Sequence, residues 1–386
     1  MIIAFDAKRI FQNKTGLGNY SRTLVNSLSH QFPDNNYLLF APKQTDLFNL
    51  EASTNIEWIG PDNFLSKRFP SLWRSKFVCK DLNKRGVDIY HGLSHEIPYG
   101  IQHTKIKSVV TIHDLIFERY PQQYNPIDVF TYRFKIKNAC KNANHVIAIS
   151  EQTKNDLINL YQVDGNKISV CYQSCDFAFF KEENSITTEQ TRLKYNLPKD
   201  FFLFVGSIIE RKNLLAICKA MLLIEKKERV PLVVIGKGGL YLKKIKQFLA
   251  QTGLENDVHF LSEKTDAEII PDFLAIYDLA SIYRCANALI YPSVFEGFGI
   301  PILEAMAAGT PVITSGLSCM PEVGGDAVLY VNPYDEHDIA SKMKILNSDL
   351  MLRNDLSRKG KERSLQFTDQ NCAQRVMNVY QNSIIT

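Results

Sequence analysis

The apolar positions of this chain fall into short continuous runs separated by longer mixed stretches. Six runs precede residue 175: "IIAFDA", "YLLFAP", "VDIYHG", "KSVVTIHDL", "HVIAIS" and "KISVCY". Most are followed by segments with helical spacing. In 18–32, "GNYSRTLVNSLSHQF", residues Leu24, Val25, Leu28 and Phe32 share one helix face. Uniformly apolar strands alternating with helices predict a parallel sheet covered on both sides. The rhythm lapses over 175–200, "CDFAFFKEENSITTEQTRLKYNLPKD", which is polar and charged. It then resumes with "FFLFVGSI", "PLVVIGKGG", "DVHFLSE", "NALIYPS", "TPVITS" and "AVLYVNP". The pattern predicts an α/β domain over 1–174, a linker with a short helix over 175–200, and a second α/β domain over 201–368. Residues 369–386 form a last helix, for which packing back on the N-terminal domain is one of two placements. No residue-level repeat relates the halves.

Composition sharpens this picture in three places. The 386 residues are 45% hydrophobic, enough for two sizeable cores without metal or disulfide staples. Lys+Arg 45 against Asp+Glu 41 gives a net charge of +4, too mild by itself to indicate nucleic acid as a partner. The eight cysteines have neither Cys-x-x-Cys nor zinc spacing, as expected of small core residues in a reducing cytoplasm. "MIIAFDAKRIF" reads as a first strand and not as a signal peptide, and no apolar run is long enough to span a membrane. A cytoplasmic location is therefore expected, peripheral at the inner face of the plasma membrane if the basic stretch described below is a membrane contact.

In open α/β sheets, ligands bind beyond the carboxyl ends of strands. Four strand exits have suitable residues. "KTGLGNYSR" offers Gly16 and Gly18 at a helix start, a phosphate site or a plain turn. The second strand ends without the acid that a dinucleotide fingerprint needs, which argues against a nicotinamide or flavin cofactor. "FLFVGSIIERKNL" ends a strand at Gly206 and places Arg211 and Lys212 where they could neutralise a diphosphate, or could simply open a solvated helix. "VVIGKGG" turns at Gly236 without a Walker signature. The fourth exit is the richest. "FEGFGIPILEAMAAGTPVI" (295–313) has a glycine turn, Pro301 at a helix start, Gly309 as its cap, and two carboxylates, Glu296 and Glu304. A carboxylate on so apolar a helix needs a partner, either an internal cation or ligand hydroxyls. Backbone N–H groups of Gly297, Phe298, Gly299 and Ile300 would face the same pocket. A ligand with both anionic and polyol parts satisfies all of these groups, and a nucleotide sugar is such a ligand.

This stretch resembles the Glu-x7-Glu signature of the retaining glycosyltransferases of the family-four group, which includes bacterial mannosyl- and glucosyltransferases. "GSIIERKN", "VVIGKGG" and "CMPEVGGDAVLYVNP" are similar to further segments of that pattern in the same order, as are "TGLGNYSR", "VVTIHDL" and "VIAISEQTKNDL" in the N-terminal half. The resemblance implies a GT-B fold, two Rossmann-like domains facing each other across a cleft, with the acceptor on the first domain and the donor on the second. It implies that Arg211 and Lys212 hold the diphosphate, Glu296 the transferred sugar and Glu304 the ribose. It places Gly16, Leu17 and Gly18 over the donor phosphates and His113 beside the donor sugar, with Gly206 and Gly236 near the nucleotide. No Asp-x-Asp metal motif occurs, so no metal and no cofactor beyond the co-substrate is expected. One departure is the additional stretch "PDFLAIYD" near the expected nucleobase region.

The implied reaction is transfer of a hexose with retention by same-face attack, without a covalent intermediate. "TIHDLIFERYP" is most similar to members that use GDP-mannose; UDP-sugars are the alternative donors. The implied acceptor is a glycan or lipid-linked saccharide of an O-antigen, capsule or exopolysaccharide. Competing classes are a sugar-nucleotide epimerase or phosphorylase on the same scaffold, or a non-catalytic nucleotide-binding protein. His91 and His95 in "YHGLSHEIP" have metal-like spacing, but Gly92 and Pro98 break the helix that would align them; His95 or Glu96 could line the acceptor side. Residues 64–86 interleave Lys67, Arg68, Arg74, Lys76, Lys80, Lys84 and Arg85 with Phe64, Phe69, Trp73 and Phe77 against one acid, Asp81. That pattern fits a peripheral contact with an anionic membrane, or a charged helix whose aromatics face the core.

Overall fold

The computed structural model describes residues 1–50, 54–182, 185–261 and 276–385. They form two units, one of residues 1–174 and 368–386, the other of 175–367.

The first unit is built on parallel strands β1 (Ile2–Asp6), β2 (Asn36–Phe40), β3 (Ile56–Ile59), β4 (Ile89–Gly92), β5 (Lys107–Ile112), β6 (His145–Ala148) and β7 (Ile168–Val170), in the order β3-β2-β1-β4-β5-β6-β7. Ile3 and Phe5 pack into one apolar layer and Ala4 into the other, so both faces of β1 are buried. This double covering is why the strands read as continuous apolar runs. β3 has no such run: it is an edge strand with Glu57 exposed and Trp58 half-buried, and its pattern is too short and too polar to stand out. Helix α1 (Gly16–Gln31) buries Leu24, Val25 and Leu28, while Phe32 is its half-buried cap.

The second unit repeats the arrangement with β8 (Phe202–Val205), β9 (Leu232–Ile235), β10 (Val258–Phe260), β11 (Ala288–Tyr291), β12 (Val312–Ser315) and β13 (Leu329–Val331), ordered β10-β9-β8-β11-β12-β13 and parallel throughout. Each sheet reverses its strand order once, between β1 and β4 and between β8 and β11. Crevices at the carboxyl ends of such pairs are where open α/β sheets bind ligands.

Residues 175–200, expected as a linker, are integrated into the second unit. The helix Ser185–Lys194 packs against Ile276–Cys285, and Tyr195 donates a hydrogen bond to Asp278 (2.6 Å). The segment is polar because the helix is largely solvated, not because it lacks a partner. The chain returns to the first unit at its end. Helix Asp369–Ile385 buries Cys372, Ala373, Val376, Met377 and Tyr380 in the apolar layer that also holds Phe5 and Val25. Ser27 donates to Asp369 (2.6 Å), and the Tyr380 hydroxyl meets His91 Nδ1 (2.6 Å). Of the additional stretch 271–278, residues 271–275 lie outside the described residues and 276–278 open the helix Ile276–Cys285. The cysteines form no disulfide. Among the described residues, no helix is long and apolar enough to cross a membrane.

Candidate functional site

The loops that leave β8 and β11 meet at the switch point of the second sheet. After β8 the chain turns at Gly206 (φ 138°), a backbone conformation that favours glycine. A Cβ there would lie 3.0 Å from Lys212 Nζ, so the missing side chain makes room for the lysine. Gly236, at the β9 exit, is filled just as closely: its Cβ would sit 1.9 Å from the Gly206 carbonyl. Its absent side chain is thus explained by loop packing. Arg211 and Lys212 lie in a short 3-10 turn closed by Asn213, whose carboxamide donates to the carbonyls of Pro333 (2.6 Å) and Pro292 (3.3 Å). Val294 N–H donates to the Arg211 carbonyl (2.9 Å), which ties the two exit loops together.

These anchors bring Glu296 into a buried charge cluster. Its Oε1 lies 2.8 Å from Arg211 Nη1 and 3.3 Å from Lys212 Nζ, and it accepts from Tyr291 (2.7 Å) and Ser293 (2.8 Å). Arg211 also donates to the Phe295 carbonyl, and Lys212 to the Tyr291 hydroxyl. Oε2 takes none of these bonds. Burial works against ionisation of Glu296, but Lys212 and Arg211 outweigh it and hold the carboxyl at about 2. Tyr291 is pushed well above its ordinary range by burial and by Glu296, so it stays a donor. Two cations face one carboxylate. The cluster therefore carries a net +1 where Arg211 and Glu296 are 7% and 8% exposed. A buried excess charge favours an incoming anion.

The next helix, Ile300–Ala308, starts beside this cluster. Gly299 enters it with φ 99°, Pro301 lies in its first turn, and among the described residues no side chain caps its amino end. Glu304 projects from it and accepts from the Tyr283 hydroxyl at 2.8 Å. Glu304 is partly open to solvent, yet burial of its carboxyl raises its pKa to about 7. The two acids of one motif are thus driven in opposite directions. The first is surrounded by cations, and the second is dominated by burial, which its bond from Tyr283 and the more distant Lys212 do not offset.

In the first unit, His113 follows β5 and is buried. Its Nε2 donates to the Leu93 carbonyl (2.9 Å), which leaves Nδ1 to accept from the Gln173 carboxamide (2.8 Å). Burial, with His95 nearby, holds its pKa at about 3, so it is neutral in ordinary buffers. His91 is likewise internal, bonded to Thr111 (2.8 Å) and Tyr380. His95 has a left-handed backbone (φ 62°), and its ring meets that of His113 at 5.3 Å. Glu96 is held by Arg74 (2.7 Å) and Lys135 (3.0 Å), and Arg74 is also paired with Asp6. At the start of α1, Asn13 Oδ1 accepts from the Gly18 N–H (3.1 Å), and a Cβ on Gly18 would lie 1.8 Å from the Asn13 carbonyl. Gly18 therefore serves loop packing, whereas Gly16 faces open space and Leu17 is half-buried.

Residues 15–179 match the family description "Glycosyltransferase Family 4", and 185–363 match "Glycosyl transferases group 1". The O-antigen chain mannosyltransferase B of Escherichia coli is 28% identical over 98% of this chain and 99% of its own length. The O-antigen chain mannosyltransferase RfbU of Salmonella typhimurium is 31% identical over 71% of this chain and 68% of its own. The chain belongs to glycosyltransferase family 4. This glycosyltransferase also shares its fold with solved structures. Anabaena Alr3699/HepE in complex with UDP and glucose superposes with a TM-score of 0.73 at 16% identity, covering 98% of this chain and 99% of that one. WaaG, a glycosyltransferase involved in lipopolysaccharide biosynthesis, gives 0.68 at 15%, covering 98% and 99%. The fold is GT-B, with two Rossmann-like units.

Several residues of the transferase's charge cluster carried no signal of their own in the sequence. Tyr291 and Ser293 lie in "NALIYPS", which reads simply as a buried strand and its exit. Ser318 (φ 56°) exchanges hydrogen bonds with the Glu296 backbone, its Oγ donating to the carbonyl at 2.9 Å. The available clue was position: a hydroxyl at the carboxyl end of an apolar strand, just before a glycine turn with an acid.

Proposed function

We propose that this transferase moves a hexose from a nucleotide sugar, GDP-mannose in first place and a UDP-sugar as the alternative, to a glycan or lipid-linked saccharide in bacterial surface polysaccharide synthesis. The observation that carries the reading is the buried cluster of Arg211, Lys212 and Glu296, with its net positive charge beside an uncapped helix terminus. The names of the Escherichia coli and Salmonella relatives support mannose and O-antigen.

The diphosphate leaves with growing negative charge, and preorganised cations and N–H dipoles stabilise that charge most in the transition state. Arg211 and Lys212 are held in place by Glu296 before the donor arrives, so little reorganisation is needed. They supply at the diphosphate the charge that a divalent ion would otherwise bring. Glu296 Oε2 accepts hydroxyls of the hexose. With its pKa near 2 and four donors on its other oxygen, Glu296 is a poor nucleophile. This favours same-face attack with retention, the departing phosphate taking the acceptor proton. His113, neutral and bonded through both nitrogens, serves as a positioning group and not as a titrating acid or base.

Glu304 accepts the ribose diol as a carboxylate. Because its pKa is near 7, donor affinity rises as pH increases from 6 to 8, by at most about tenfold per pH unit below the pKa. In Glu304→Gln the affinity is lower and flat across this range. Calorimetric titration at several pH values reads this, and a pH-independent wild type removes Glu304 from the ribose role.

Thermal-shift screening with GDP-, UDP-, ADP- and dTDP-sugars tests the donor. A hundredfold excess over Kd raises the melting temperature by roughly 5–10 °C for a unit of this size. GDP-mannose gives the largest shift, and incubation without acceptor slowly releases GDP. An isomerised sugar would identify an epimerase instead, and no shift with any donor would overturn the reading.

A further inference from the structure

Residues 64–77 and the helix Pro126–Asn142 of the first unit leave large apolar side chains uncovered. In the first segment Phe64 is 80% exposed, Leu65 64% and Phe69 54%; in the helix Ile127 is 74%, Phe130 73% and Phe134 58% exposed. A single exposed Leu or Phe is unremarkable, but six of this size on two adjoining segments mark an interaction surface.

The two segments lie on one side of the unit. Tyr99 N–H donates to the Ser75 carbonyl (2.7 Å), and its ring lies against Phe134 with centroids 6.0 Å apart. Ser71 and Arg74 from one segment and Lys135 and Asn138 from the other line the same cavity of about 330 Å³.

Local geometry explains which side chains face out. Trp73 and Phe77, four residues apart, would share a face in an α-helix. In the π-helical turn Trp73–Phe77 their surroundings differ: Trp73 is fully buried and bonded to Asp81, while Phe77 is 37% exposed. Of the two readings of 64–86, Trp73 follows the one in which the aromatics face the core, and Arg74 is taken up by its pairs with Asp6 and Glu96. The helix Pro126–Asn142 has two stripes. Val129, Ile136, Ala139 and Cys140 face the core, while Ile127, Phe130, Phe134, Lys137 and Lys141 follow one another along the other side.

Basic side chains frame the apolar tips. Lys67, Arg68, Lys76 and Lys80 are exposed in the first region; Asp81, its one acid between 64 and 84, is occupied by Trp73. Lys137 and Lys141 extend the second stripe, where Asp128 is the one acid of the helix. Apolar tips ringed by cations match the boundary between acyl chains and anionic headgroups. A second copy of this surface would meet it with like charge. A single-stranded nucleic acid would stack on aromatics but has no use for Leu65 and Ile127.

We propose that this face docks on an anionic lipid bilayer, with Phe64, Leu65, Ile127, Phe130 and Phe134 entering the interface and the flanking lysines contacting headgroups. The proposal does not depend on which sugar is transferred. Flotation of the full chain with vesicles of phosphatidylcholine, with and without phosphatidylglycerol, tests it. The chain floats with the anionic vesicles alone, and added salt weakens the binding. The pair Phe64→Ser and Phe130→Ser lowers partitioning at least about tenfold, and Lys67→Gln with Lys137→Gln lowers it roughly fivefold per lysine. All four positions are exposed, so melting temperature and donor-induced shift stay at wild-type values in both variants. No binding to anionic vesicles, equal binding to neutral ones, or unchanged binding of the variants would overturn the proposal. So would a wild-type dimer dispersed by the Phe64→Ser and Phe130→Ser pair, or retention of RNA in preference to vesicles.

Discussion

Arg211→Ala is expected to lower the rate of glycosyl transfer by about a thousandfold while weakening donor binding by no more than about tenfold. The difference follows from when the charge appears. A bound diphosphate already carries negative charge, but its bridging oxygen gains more as the glycosidic bond breaks. A cation fixed in a water-poor site counts most at that moment. Arg211 is fixed by Glu296, by the Phe295 carbonyl and by its own backbone carbonyl, which accepts from Val294. The fold should survive the change, because Lys212, Tyr291 and Ser293 still satisfy Glu296. Arg211→Lys restores charge but not the fork of donors, and recovers activity only in part. Transfer within tenfold of wild type in the alanine variant would remove Arg211 from the leaving-group role.

Glu296→Gln is expected to destabilise the second unit at neutral pH by about 3 kcal/mol, and to lower transfer by two orders of magnitude or more. The stability figure follows from a carboxyl whose ordinary value of 4.5 is depressed to about 2. The sign is that of a depressed acid: the contribution is fully present above the unfolded value near 4.5 and is lost as pH falls from there to about 2. The gap between wild type and variant is thus widest above pH 5 and closes in acid. The amide leaves Arg211 and Lys212 facing each other without a counter-charge. Inorganic pyrophosphate should consequently raise the melting temperature of the variant more than that of wild type. Equal melting temperatures at pH 7 would show that the cluster does not hold together as described.

How much of this was legible in the sequence differs from residue to residue. The inner strands of the second sheet, β8, β9, β11 and β12, are legible because each is buried along its length and has glycine or proline at one end or both. "VFEGFG" is legible as a ligand loop because a glycine turn with an acid follows an apolar strand. What the sequence does not show is that Arg211 and Glu296, 85 positions apart, are ion partners before any ligand arrives. That pairing depends on β8 and β11 being neighbours in the sheet, which one-dimensional spacing does not encode. For the same reason Tyr291 reads as one more apolar strand residue, although its hydroxyl links Lys212 to Glu296. In 64–86 the two readings of the pattern divide among the aromatics: Trp73 faces the core, whereas Phe64 and Phe69 are exposed, a split that the sequence does not encode. On Pro126–Asn142 the apolar residues occupy two sides, so no single amphipathic face emerges from the pattern.

The chain enters the second unit at residue 175 and returns to the first at 368, so the helix Asp369–Ile385 completes a core begun by Ile3 and Phe5. During translation the earliest apolar layer must therefore wait, incomplete, while the whole of the later unit is made. At ribosomal speeds of ~5–20 residues per second that wait is roughly 10–40 s. The later unit can close on itself first, which reverses the usual order of domain maturation. Deleting the terminal helix should accordingly leave the beginning of the polypeptide chaperone-dependent and protease-sensitive, while the portion that holds Glu296 still folds.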